Sequence, residues 1–252
     1  IPVMLNGRRL AASYIYGTFQ DRNRGARWAA TLMEEAVAQQ CYRTLITIIP
    51  TEDPASLARY GFEEIYRKRC YTISQGDLDN QSYAGVGKNF EIDELMSLYN
   101  DFASHFDGYR IRDRQYWLDL IDLLQFKRYN LAVYHDDEGK PAGYMIYYIE
   151  ASRIVVTEIV YRTGIALTRL LCYGLRLKNT IKVFTSASED LSRAFERVRY
   201  VSLTRLVAKV NDLELFNRLY GSNVTTAESK TVTRFITVGV FHIKPEGQLQ
   251  KN

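Results

Sequence analysis

The sequence predicts a mixed fold of α+β (α/β) type, and three observations carry that prediction. Segments with the two-residue period of strands alternate with segments at the 3.6-residue period of helices along most of the 252 residues. The alternation runs through twice, on either side of a stretch rich in Gly, Asp, Asn, Gln and Ser, Ser74 to Asn89. One strand passes through a short basic turn straight into an amphipathic helix, the local arrangement of a layered α/β sheet.

Taken in order, Ile1 to Leu5 and Arg9 to Thr18 read as strands joined by Asn6-Gly7, a strong hairpin signal. The apolar residues Ala29, Leu32, Met33, Ala36 and Val37 then fall on one helical face. Arg43 to Ile49 is a buried strand ended by Pro50. Ala55 to Tyr60 is a short helix stopped by Gly61, and Glu64 to Ile73 is a strand. Ser74 to Asn89 reads as a linker.

A second unit starts at Phe90. Ile92 to Phe106 and Gln115 to Leu124 carry apolar residues at helical spacing. Asn130 to Tyr134 and Ala142 to Ile149 are strands around the polar loop His135 to Lys140, and Arg153 to Tyr161 is a third strand. Gly164 to Leu177 is a helix, Ile181 to Thr185 a strand, Leu191 to Arg197 a short helix and Ser202 to Val210 a closing strand.

The basic turn is Arg22-Asn23-Arg24-Gly25-Ala26-Arg27. A helix start leaves backbone N–H groups without partners and carries partial positive charge. Gly25 lets an anion approach the backbone, and Arg22, Arg24 and Arg27 add full charges, which suits a pyrophosphate. A solvated basic helix start is the plainer alternative.

Arg-x-Arg-Gly-x at this turn, and Tyr60-Gly61-Phe62-Glu63 further on, resemble the GNAT N-acetyltransferases. The resemblance implies that the amides of Gly25 and Ala26, with Arg22, Asn23, Arg24 and Arg27, bind the pyrophosphate of acetyl-CoA. It also implies that a first strand and two helices precede residue 1, so this first copy, 1–73, is N-terminally incomplete. The loop before Arg22 is shorter than is usual there. The second unit, 90–212, repeats the order of elements but has only Arg162 and Gly164 before its matching helix, and reads as a degenerate copy.

Such tandem GNAT folds resemble the Eis-like acetyltransferases. Arg112-Asp113-x-x-Tyr116-Trp117, Pro141-Ala142-Gly143-Tyr144-x-x-Tyr147 and Val207 to Asp212 look like that group's second domain. A sterol-carrier-like domain follows in the group. Residues 213–252 are too short for a whole one, and Thr231 to Phe241 reads as a strand of a possible remnant. The resemblance also implies a homo-oligomer.

In the family an amine attacks the acetyl thioester directly. A backbone N–H within Ile15, Gly17 and Thr18 is the candidate to steady the thioester carbonyl; an ordinary strand is the alternative. The family returns a proton to the thiolate from a tyrosine a few residues before the Gly-Phe pair. Leu57 stands where that tyrosine is expected, and Tyr60 is the nearest candidate. A phenol near pKa 10 protonates a thiolate near 8.5 uphill by roughly 2 kcal/mol, which is accessible. A packed aromatic is the other reading of Tyr60.

Hydrophobic content of 46% and charged content of 25% are those of a globular protein with no membrane-length apolar run. A cytoplasmic location is the default expectation. Cys41, Cys70 and Cys172 are isolated and show no metal-ligand spacing; buried thiols are expected, and no metal. The net charge of +4 is spread along the chain, and no basic helix or aromatic platform favours nucleic acid. The reading is therefore an acetyl-CoA-dependent transferase acting on a primary amine. Its rival is an acyl-CoA-binding module without catalysis.

Overall fold

Asn6 and Gly7 turn the chain back on itself with both φ angles positive, 45° and 74°. That is the backbone of the tight turn that matches the twist of paired strands, and it suits Asn-Gly. The turn joins β1 (Pro2–Leu5) to β2 (Arg8–Tyr14). The computed structural model describes residues 1–16, 25–78 and 82–223.

The chain divides into two units, and the boundary falls inside two strands, β4 (Glu63–Ser74) and β11 (Tyr200–Val210). The first unit takes in Ile1–Arg67, Asp107–Ile111 and the described residues from Leu203 onward. It contains β1, β2, α1 (Gly25–Cys41), β3 (Ile46–Pro50), α2 (Ala55–Ala58), β6 (Gly108–Arg110) and α6 (Leu213–Tyr220). Its strands run in the order β4-β11-β3-β2-β1-β6. Strands β2 and β3 are parallel, with Ala12 opposite Ile46 and Tyr14 opposite Ile48, so β2-α1-β3 is a crossover unit.

Val37, Ile49, Leu57, Phe62 and Val207 form the core beside that crossover, with Met33, Ile15 and Tyr60 packed on its margin. On α1 the expected apolar face holds at Val37, but Leu32 is 45% exposed and lies off it. A polar network fixes the far end of the helix. Ser13 Oγ donates to Gln40 Oε1 at 2.7 Å, and Asn211 Nδ2 donates to the Thr44 carbonyl at 2.7 Å and to Thr47 Oγ1 at 2.9 Å.

The second unit takes in Lys68–Phe106 and Arg112–Ser202. It contains β5 (Val86–Gly87), α3 (Ile92–Ala103), α4 (Arg114–Phe126), β7 (Asn130–His135), β8 (Pro141–Ile149), β9 (Ile154–Tyr161), α5 (Gly164–Leu177) and β10 (Thr180–Ser186). Its strands run β5-β7-β8-β9-β10 and on to the Lys68–Ser74 half of β4. Leu167, Leu170, Leu171 and Leu175 of α5 pack on Met145, Val156, Ile181 and Val183. Each buried leucine contributes at most roughly 1.5–3 kcal/mol.

Several elements differ from expectation. Within the expected linker, Val86 and Gly87 form a short strand against Tyr134 and Val133. The expected helix from Leu191 to Arg197 is a single 3-10 turn, Leu191–Arg193. The stretch after Asp212 opens with α6, whose first turn is capped by Asp212 and whose end is closed by Gly221 at φ 59°. The strand expected over Thr231 to Phe241 lies outside the described residues.

Candidate active site

The crossover in the first unit sets out the candidate site. Helix α1 follows the carboxyl end of β2, the side of a parallel pair where ligands enter α/β sheets. Gly25 is its first residue, so the amides that find no partner within the helix begin there, continuing through Ala26 and Arg27. That turn carries no acidic residue to offset the partial positive charge of the helix start. The chemistry of this donor set, amides plus flanking arginines, fits a pyrophosphate. Arg22, Asn23 and Arg24 lie outside the described residues, as do Gly17 and Thr18.

Ile15 continues the parallel ladder. Its N–H donates to the Ile48 carbonyl at 3.0 Å and is therefore engaged. Within the stretch expected to offer an N–H, the free donor would have to lie beyond Ile15.

Tyr60 follows α2 at the margin of the same cluster that Ile15 and Met33 touch, so the structure brings these two candidates onto one core. Its hydroxyl oxygen accepts from Arg59 Nη2 at 2.7 Å, and the Arg59 guanidinium lies 4.7 Å from the centre of its ring. A phenol that accepts from a guanidinium still has its own proton to give. Leu57, one turn earlier, points into the core and is 7% exposed. The Arg59 contact was not legible in the sequence, beyond the bare fact that Arg59 precedes Tyr60.

The matching place in the second unit is built differently. Strand β9 runs parallel to β10, and α5 follows the carboxyl end of β9. Thr163 Oγ1 accepts from the Ala166 amide at 3.1 Å, so the start of α5 is capped from within. Arg162 is turned aside to the Pro141 carbonyl, Ser97 Oγ and Asp101. One amide of the helix start and the one arginine are thus already engaged.

Residues 108–209 match the family model described as an acetyltransferase (GNAT) domain. This stretch, about two fifths of the chain, carries the likeness to a GNAT-type acetyltransferase domain. The matched stretch runs from β6 to β11 and includes Arg112, Tyr144 and Glu158, but not the Arg22 to Arg27 turn.

Solved structures agree on the fold. A probable N-acyltransferase from Enterococcus faecalis aligns with TM-score 0.68 at 22% identity, over 85% of this chain and 58% of its own. A GCN5-related N-acetyltransferase from Anabaena variabilis aligns with TM-score 0.66 at 16% identity, over 84% and 58%. Eis1 from Mycobacterium abscessus aligns with TM-score 0.60 at 15% identity, over 85% and 61%. The chain thus spans about three fifths of the length of these GNAT structures. No curated protein matches it. Among the described residues no helix is long and apolar enough to cross a membrane, and no group of three His, Cys, Asp or Glu is set to hold a metal.

Proposed function

We propose that the chain is an acetyl-CoA-dependent N-acetyltransferase that acylates a primary amine, with the donor held in the first unit. The β2-α1-β3 crossover carries this reading: Gly25 opens a helix with no acidic first turn at the carboxyl end of a parallel strand. Arg22, Asn23, Arg24 and Arg27, with the amides of Gly25 and Ala26, would hold the pyrophosphate. Acetyl-CoA supplies an acetyl group activated as a thioester. A main-chain N–H between Tyr16 and Thr18 would receive the negative charge on the carbonyl oxygen, and Tyr60 would return a proton to the departing sulfur.

The second unit would be the degenerate copy of a tandem pair. The capping of α5 by Thr163 and the diversion of Arg162 to Asp101 support that. The Eis-like resemblance read in the sequence extends this proposal to a homo-oligomer with a remnant of a sterol-carrier-like domain after α6, in a cytoplasmic setting. A small-molecule amine, an aminoglycoside or a lysine side chain would each fit the chemistry.

Leu57 favours a second reading. A buried leucine where the family's tyrosine is expected suits an acyl-CoA-binding module that has lost catalysis. Two measurements separate the readings. Titration calorimetry with acetyl-CoA detects binding, which Arg24→Ala weakens under either. Thiol release against a panel of primary amines detects turnover. Binding with turnover supports the transferase, binding without it the module, and no binding removes both.

A further inference from the structure

Strands β9 and β10 pair over Ile154–Ile181, Val155–Lys182 and Val156–Val183, and then part. Beyond that point β9 stays with β8, ending with Tyr161 opposite Gly143. Strand β10 stays with β4, ending with Ser186 opposite Lys68. Two parallel strands that diverge leave a gap at their carboxyl ends. One side chain bridges it. Glu189, in the turn after β10, accepts from Tyr161 at Oε1 (3.0 Å) and from the Ser186 amide at Oε2 (3.1 Å). Its own amide donates back to the Ser186 carbonyl at 3.0 Å.

We propose that the Ser186 to Leu191 turn is a proton-operated latch. With Glu189 protonated it is held in the gap between the parting ends of β9 and β10; with Glu189 ionised, its proton passed to water, the turn is released and the gap opens. The proposal is independent of where an acyl donor binds.

The surroundings of Glu189 carry the argument. Tyr161 faces it from β9 and the Ser186 amide from β10. From β4, Arg69 Nη1 (3.1 Å) and the Tyr71 hydroxyl (3.4 Å) donate to its main-chain carbonyl, not to its carboxyl. Arg69 Nη1 also lies 3.3 Å from Asp190 Oδ2, so the nearby cation belongs to the next residue. Among the described residues no cation pairs with the Glu189 carboxyl. A carboxyl enclosed without a cation is driven toward its neutral form. Burial raises this one to about 7, against the lowering effect of the Ser186 amide and the Tyr161 hydroxyl. The neutral acid keeps both contacts, one oxygen accepting from Ser186 and the other sharing a hydrogen with Tyr161.

Amide hydrogen exchange on the full chain tests the latch. Protection factors, which remove the intrinsic pH dependence of exchange, are measured at Ser186 and Glu189 between pH 5.5 and pH 8.5. They are expected to fall about tenfold or more between pH 5.5 and pH 7 and to change little above that. Glu189→Gln is expected to make Ser186 flat across this range. Tyr161→Phe removes a donor to the ionised form, so it moves the midpoint to higher pH. Flat protection in the parent protein, a step that persists in Glu189→Gln, or an unmoved midpoint in Tyr161→Phe overturns the proposal.

Discussion

Arg112 and Glu158 meet in the interior of the second unit through two parallel hydrogen bonds, Nη1 to Oε1 at 2.8 Å and Nη2 to Oε2 at 2.9 Å. Neither side chain reaches solvent to any extent, with exposures of 0% and 4%. The Tyr144 hydroxyl donates to the same carboxylate. The guanidinium lies 3.9 Å from the ring centre of Tyr99 and 5.2 Å from that of Trp117. Burial by itself would lower the Arg112 pKa, but the Glu158 charge beside it holds the guanidinium well above its ordinary value. Two stretches singled out in the sequence meet at this pair. Arg112-Asp113-x-x-Tyr116-Trp117 supplies the cation and part of its aromatic cage, and Tyr144 comes from the Pro141 to Tyr147 strand.

Removing one partner leaves an uncompensated charge in a dry interior. Arg112→Met is expected to destabilise the chain by about 3–5 kcal/mol. The double replacement Arg112→Met with Glu158→Leu removes both charges and is expected to recover much of that loss. Urea unfolding of the two variants checks this; equal stability of the single and double variants would contradict the assignment.

Gly143 offers a sharper packing test. A Cβ there would lie 2.8 Å from the Val160 carbonyl oxygen and 3.2 Å from Leu170 Cδ1. The carbonyl belongs to a paired strand and cannot move aside. Gly143→Ala is expected to cost about 1–3 kcal/mol, whereas Gly87→Ala, with nothing within 4 Å, is expected to be close to neutral. Thermal unfolding of both variants distinguishes them.

How much of this was legible follows from the range of the interaction that decides each element. The Asn6-Gly7 hairpin rests on two adjacent residues and was read correctly. Helix α5 was read from Gly164 to Leu177, its observed span, because a capping threonine, an apolar period and the following strand all agree locally. Val86 stands alone between two glycines, too short a signal for a strand, and pairs with Tyr134 across the sheet as Gly87 does with Val133. Helix α6 has a local signature, Asp212 before it, Phe216 and Tyr220 four apart, and Gly221 after it, although the sequence reading places it without a helix in the possible sterol-carrier-like segment 213–252. At the candidate site the Gly25 helix start was legible for the same local reason. The engagement of Ile15 with Ile48 and the position of Glu189 between two strands were not, because each depends on chain segments brought together by the sheet.

Tyr60 is expected to act on the chemical step more than on binding. If it returns the proton to the leaving thiolate, Tyr60→Phe lowers kcat by about 10²–10⁴-fold and leaves the KM for acetyl-CoA nearly unchanged. The ring stays, so its packing against the Val37, Ile49, Leu57, Phe62 and Val207 core is kept. Arg59→Ala separates the partner's contribution, since it removes the donor to the Tyr60 oxygen without touching the phenol. Steady-state kinetics over a range of acetyl-CoA concentrations reads both. A Tyr60→Phe variant with unaltered kcat assigns the residue to packing.

The pH dependence of global stability gives a further check on Glu189, separate from local exchange. Its carboxyl stands at about 7 in the folded chain against an ordinary 4.5. Between those values the folded state binds the proton more tightly than the unfolded state. Stability from this group is therefore fully present below pH 4.5 and is lost as pH rises through 7. The difference corresponds to about 3 kcal/mol at most. Other carboxylates oppose the trend: Asp77, for example, is held below its usual range by the Ser74 hydroxyl and amide, so its contribution is lost on acidification instead. The Glu189 share is isolated by subtraction. The urea midpoint of the parent chain minus that of Glu189→Gln, measured at pH 5 and pH 8, is expected to shift in favour of the glutamine variant at pH 8, since glutamine accepts from the same donors and stays neutral. A difference that does not change with pH would mean that the carboxyl is already ionised in the folded chain throughout this range.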